Sequence, residues 1–161
     1  MIGLILSVIV VNVIAFFIKK NLTVNQMVHI WFFTISFQLI FDVFIDLKYH
    51  GYWYVTKGID WEALPAYTIL IPPVNIMFLN WFPFKSSFTK KVMYIAIWEA
   101  ALLIYESIVQ LPAPWGYFEY GWWELWYSAL INPLLLLSLL GYYKWIQSIE
   151  WKLIMKSEGG H

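Results

Sequence analysis

The chain has 161 residues, of which 61% are hydrophobic, 21% aromatic and only 12% charged. Soluble domains carry about twice that charged fraction, and a soluble chain of this length has no means of burying so much apolar surface, so the bilayer is the expected solvent. The formal net charge is zero, all ten basic residues are Lys and there is no Cys; this excludes a nucleic-acid reader built on arginine forks, a disulfide framework, a thiolate metal site and a cysteine nucleophile.

Five continuous apolar blocks are the predicted spans. The first, residues 2–18, is closed by Lys19 and Lys20. Its 17 residues reach about 25 Å as a helix. A cleaved signal peptide needs basic residues before its apolar core and a small-residue site after it. Here the lysines follow the core, so the block is read as an uncleaved first helix. The second span covers 27–47 and the third 65–84. Within the third, Pro72 and Pro73 remove two backbone donors and free carbonyls near Thr68 and Ile69. At membrane depth such carbonyls need a side chain, a water or an ion. A plain kink is the commoner outcome, and a discontinuous helix beside a ligand site is the functional one. The fourth span covers 92–110 and the fifth 127–145. Residues 1–146 thus form one transmembrane domain, and 147–161 an interfacial helical tail with Ile149, Leu153 and Ile154 toward lipid. Continuous apolar blocks exclude a transmembrane barrel, which needs alternating strands.

Five spans place the connections alternately on two sides. Lys19, Lys20, Lys85, Lys90, Lys91, Lys144, Lys152 and Lys156 fall on one side, Lys48 and Lys57 on the other. The positive-inside rule then puts the amino terminus outside and the carboxyl terminus in the cytoplasm. The Asn21-Leu22-Thr23 glycosylation pattern falls on the cytoplasmic side and carries no weight. The two outer loops are crowded with Trp and Tyr and hold Asp60, Glu62, Glu119 and Glu124. An aromatic belt at the headgroups accounts for them, and so does a lid over a cavity that opens outward.

Polar groups inside spans are costly and face the bundle interior. In span two, Thr34, Gln38, Asp42 and Asp46 recur every fourth residue and share one helix face. In span four, Glu99 and Glu106 are seven apart and Gln110 continues the same face; Asn75 and Asn80 lie in span three, and Asn132 precedes Pro133 in span five. A rise of about 1.5 Å per residue puts Gln38, Asn75 and Glu99 near the midplane, and Asp42, Glu106 and Asn132 roughly 6–8 Å further out. Asp46 falls at the outer interface. The expectation is one shared, outward-facing pocket built from Gln38, Asp42, Asp46, Asn75, Glu99, Glu106 and Asn132. No lysine reaches its depth, so the acids cannot all be ionised in a low dielectric: a proton is shared or a cation is bound. Asp46 and His50 offer a pair of metal ligands, although surface histidines are more often idle. No HExxH, Walker loop, GxGxxG or GxSxG is present, and Ser128 and Ser138 lack a neighbouring base, so no catalytic residue or cofactor is assigned.

The segments "FDVFIDLKYHGYWYVTKGIDW", "PPVNIMFLNWFPF", "YESI" and "YGWWELWYSALINP" resemble a family of small uncharacterised multi-pass membrane proteins from endospore-forming Gram-positive bacteria. The resemblance spans 41–133 and points to Asp42, Asp46, Pro72, Pro73, Asn80, Pro83, Glu106 and Trp126. It implies helical membrane topology and a bacterial plasma or spore membrane, and no particular activity.

The predicted fold is therefore an all-α integral membrane bundle of five helices. Three functions fit the acidic pocket: binding or transport of a ligand or cation; acid–base chemistry on a lipid or isoprenoid; or a structural subunit whose acids hold helices together. The lipid bilayer is the one assured partner. Transport through so few helices calls for a homo-oligomer or a partner membrane subunit.

Overall fold

A computed structural model of the protein describes residues 2–58 and 61–158; Asp60 and the last three residues lie outside them. The architecture is helical throughout, apart from one two-stranded sheet. Helix α1 spans Ile2–Phe17 and α2 Val24–Asp42, continued as a π-helix over Val43–Lys48. Strand β1 is Tyr52–Tyr54. A second π-helix, Ala66–Leu70, runs into α3, Ile71–Trp81. Then follow α4, Phe88–Val109; β2, Phe118–Tyr120; and α5, Leu125–Glu158.

Four helical stretches are long and apolar enough to cross a membrane: Val24–Lys48, Trp61–Trp81, Phe88–Val109 and Leu125–Ser157. Helix α1 is apolar but shorter, with 16 residues. The expected tail at 147–161 is not a separate helix. No Gly or Pro interrupts the chain between Gly141 and Glu158, and α5 runs on without a break, with Ile149, Leu153 and Ile154 exposed.

Helix α2 begins where Thr23 caps it. Thr23 accepts from the Gln26 backbone N–H at 3.1 Å, and the Gln26 side chain accepts from the Thr23 N–H at 3.2 Å. It ends at His50, whose φ of 53° takes the left-handed conformation that stops a helix. The chain reverses at each connection. At one end Asn80 of α3 accepts from the Asn21 N–H at 2.7 Å and donates to the Lys19 carbonyl at 3.1 Å. At the other the Gly3 N–H donates to the Pro114 carbonyl at 3.3 Å, beside the sheet. We call these the far end and the lid end.

The lid end was not expected to form strands. β1 pairs antiparallel with β2 in the register Tyr52↔Tyr120, Trp53↔Glu119 and Tyr54↔Phe118. Backbone bonds extend the pairing from Gly121 and Trp123 to Gly51, and from Val55 to Tyr117. Gly121 is required there, since a Cβ on it would stand 2.1 Å from the His50 carbonyl oxygen.

Two apolar clusters hold the bundle. The far cluster centres on Phe78, fully buried against Tyr94, Trp98 and Phe82, with Ile30, Leu79 and Leu139 around it. The lid cluster joins Leu4, Ala66 and Val109 to Tyr52, Phe118 and Trp123.

The proline pair opens α3, where a missing N–H costs least. The carbonyl of Ile69 that it frees accepts from the Asn12 side chain at 2.8 Å. A side chain of α1 thus satisfies one of the carbonyls that the break frees. Asn12→Ala is expected to lower stability by about 1 kcal/mol, the value of one such bond. Reversible unfolding in mixed detergent micelles measures it; unchanged stability would remove Asn12 from this role.

Candidate functional site

A cavity of about 240 Å³ lies between the two apolar clusters. Helices α2, α3, α4 and α5 form its walls, and Tyr52, Tyr54, Tyr117 and Phe118 roof its lid end. The pocket expected to face outward is therefore covered by the aromatic loops, because those loops pair as strands.

Four of the expected residues line it: Gln38, Asn75, Glu106 and Asn132. Thr34 and Ser128 complete its polar belt, and the remaining wall is largely aliphatic and aromatic. Asn75 donates to the Thr34 hydroxyl at 3.0 Å, tying α3 to α2 across the belt.

The other three expected residues stand outside the lining. Asp42 is buried one layer back, 4% exposed. Its carboxylate receives the Gln38 amide at 3.0 and 3.1 Å and the Tyr52 hydroxyl at 2.6 Å. Glu99 accepts from Asn132 at 3.3 Å through Oε1, while its buried Oε2 meets no donor among the described residues. Asp46 is buried apart from the cavity, with Oδ1 likewise unpartnered among those residues. Asp46 lies within the π-helix over Val43–Lys48 that continues α2. His50 is exposed, and no group of three His, Asp or Glu among the described residues could hold a metal ion.

Asp42 and Glu106 are met by hydroxyl donors that the sequence reading passed over. The hydroxyls of Tyr120 and Ser128 both meet Oε1 of Glu106, the latter at 2.6 Å, and Trp123 donates to Ser128 at 2.9 Å. Ser128, set aside for want of a neighbouring base, is thus a donor to an acid 22 residues away. Tyr52 and Tyr120 are opposite each other in the sheet. One reaches the acid of α2, the other the acid of α4. The strand alternation Tyr52-Trp53-Tyr54 and Phe118-Glu119-Tyr120 is the signal that could have shown it.

At the far end, Glu150 of α5 accepts from Asn25 at 2.7 Å and from Thr23 at 3.3 Å, and it also receives the Gln26 amide. This clasp joins α5 to the start of α2 and lies away from the cavity. Comparison with protein-family models, with curated proteins and with solved structures gives no match.

The roof has a pH signature. Burial, and then the Asp42 carboxylate, hold the Tyr52 phenol well above its ordinary value of 10.0. Burial, and then the bond to Glu106, raise Tyr120 as well. Above about pH 10 the unfolded chain releases phenolic protons that the folded chain keeps. The stability from these groups is therefore complete below that pH and lost as pH rises through it. We expect the unfolding temperature to fall above about pH 10, with Tyr52→Phe making the fall shallower while costing about 1–2 kcal/mol at neutral pH. An identical alkaline slope in the variant would show that the Tyr52 hydroxyl is not held as described.

Proposed function

We propose that the protein is a five-helix membrane protein that binds a small amphiphilic molecule in the chamber beneath its tyrosine roof. The observation that carries this reading is the chamber itself. It is a partly open cavity of about 240 Å³ whose wall combines a few polar side chains with a mainly apolar lining. Binding sites for small molecules have this character, mostly apolar with a few converging polar groups. A helix bundle that only needed mutual adhesion would close such a space, because filled interiors are more stable than cavities.

In this reading α1, at 16 residues, is a short fifth span, and the lid end faces outside. The lysine partition supports that orientation, with Lys48 and Lys57 near the lid and the other eight toward the far end. The family resemblance favours a bacterial plasma or spore membrane. The rings of the far cluster fill the bundle beyond the chamber, so passage across the membrane would require a homo-oligomer or a partner subunit.

Two measurements test the proposal. Val74 lines the chamber, and Val74→Trp fills it. Native mass spectrometry of the detergent-purified protein should find a retained small molecule in the wild type, reduced about tenfold or more in the variant, equivalent to ~1.4 kcal/mol. Equal retention, or none in either, would leave a structural subunit as the better account. Orientation is checked separately, since a chain without Cys accepts single reporters. Lys57→Cys should react with a membrane-impermeant maleimide on intact cells, and Lys85→Cys only after permeabilisation. The opposite pattern would invert the topology.

A further inference from the structure

Glu106 is the one carboxylic acid in the chamber wall among the described residues, and no Lys or His shares that wall. Its surroundings fix which oxygen is available. An indole N–H can only donate, so the Trp123 bond to Ser128 Oγ turns the Ser128 proton toward Glu106 Oε1. The Tyr120 hydroxyl lies on that same oxygen. Oε2 makes no hydrogen bond among the described residues, although the side chain borders the cavity. A carboxylate in apolar surroundings is costly unless its remaining acceptor is paired. The rings of Tyr52, Tyr105, Tyr117, Phe118 and Trp123 border the same end of the chamber, and aromatic faces attract cations. A divalent metal ion favours several carboxylate or imidazole ligands, and no group of three His, Asp or Glu converges among the described residues.

We infer that the ligand is a lipophilic amine or quaternary ammonium compound. Its cationic head meets Oε2 of Glu106 under the aromatic roof, and its apolar body lies along Phe33, Leu136 and Leu139. This rests on the chamber-binding reading above and adds the charge of the ligand to it. The competing chemistry is a neutral carbonyl compound accepting a proton from Glu106 in its acid form. Glu106→Gln separates the two. The amide oxygen still accepts from Ser128 and Tyr120, while the amide nitrogen offers the cavity a donor and no charge.

The test compares decyltrimethylammonium with its uncharged carbon isostere, and with decyl methyl ketone, in an uncharged maltoside detergent by native mass spectrometry. The wild type should bind the cation at least about 30-fold more tightly than the isostere, the factor expected for a desolvated charge pair. Glu106→Gln should erase that preference while still binding the isostere. The wild-type comparison stands alone if the variant does not fold. Equal binding of cation and isostere by the wild type, or a ketone preferred by both wild type and Glu106→Gln, overturns the cation assignment and leaves the chamber reading intact. Binding of none of the three probes overturns both.

Discussion

The constraint on which the rest of the structure depends is that a buried acid must be met by a donor. No lysine lines the chamber, and Asp42 and Glu106 are met by phenols. Tyr52 and Tyr120 face each other across the two strands and reach down to Asp42 on α2 and Glu106 on α4. Each such buried bond is worth roughly 1–2 kcal/mol. The pair also fixes position, because two helices that meet chiefly through α5 are bolted to one small sheet. A two-stranded ribbon has little stability of its own. Its order here comes from the acids below it, and the acids are tolerated because the ribbon is there.

That mutual dependence divides the molecule along its length. Toward the far end Phe78, Tyr94 and Trp98 fill the space between α3 and α4, and the Tyr94 hydroxyl donates to the Phe78 carbonyl at 2.9 Å. The Glu150 clasp then fixes α5 to the start of α2. Toward the lid end the space between the helices is covered by rings from the loops. The chamber is what remains between a filled half and a roofed half. Its polar belt falls where the two meet, since only there do side chains from α2, α3, α4 and α5 approach without interlocking apolar rings.

Helix content and the placement of polar residues were legible because both follow from local rules. Apolar length marked the four long helices, and four-residue spacing brought Gln38 near Asp42. Depth counting also brought Gln38, Asn75, Glu106 and Asn132 to one cavity. What stayed hidden was long-range. Nothing near Glu106 in sequence announces Ser128 or Tyr120 as its partners, and a loop rich in Tyr and Trp reads equally as a headgroup belt. The π-helix after Asp42 was hidden for a different reason. Its sequence, Val43 to Lys48, looks like ordinary α-helix, and nothing in it signals the widened turn that ends with the Gly51 N–H on the Ile45 carbonyl at 2.7 Å.

The acidic layer read from the sequence as one cluster is two kinds of site. Asp42 has both oxygens engaged by Gln38 and Tyr52 and is almost fully enclosed, so it acts as a fastening for the roof. Glu106 has one oxygen loaded with two hydroxyls and the other left toward the chamber. The same residue chemistry at a similar depth thus serves opposite ends, and the difference lies in the helix face. The Asp42 face is covered by the roof it anchors, whereas the Glu106 face borders empty volume. A layer of four coupled acids would have had to share protons among themselves. Acids separated by neutral donors need not, and within the chamber wall the question of charge narrows to the Glu106 oxygen that carries neither hydroxyl.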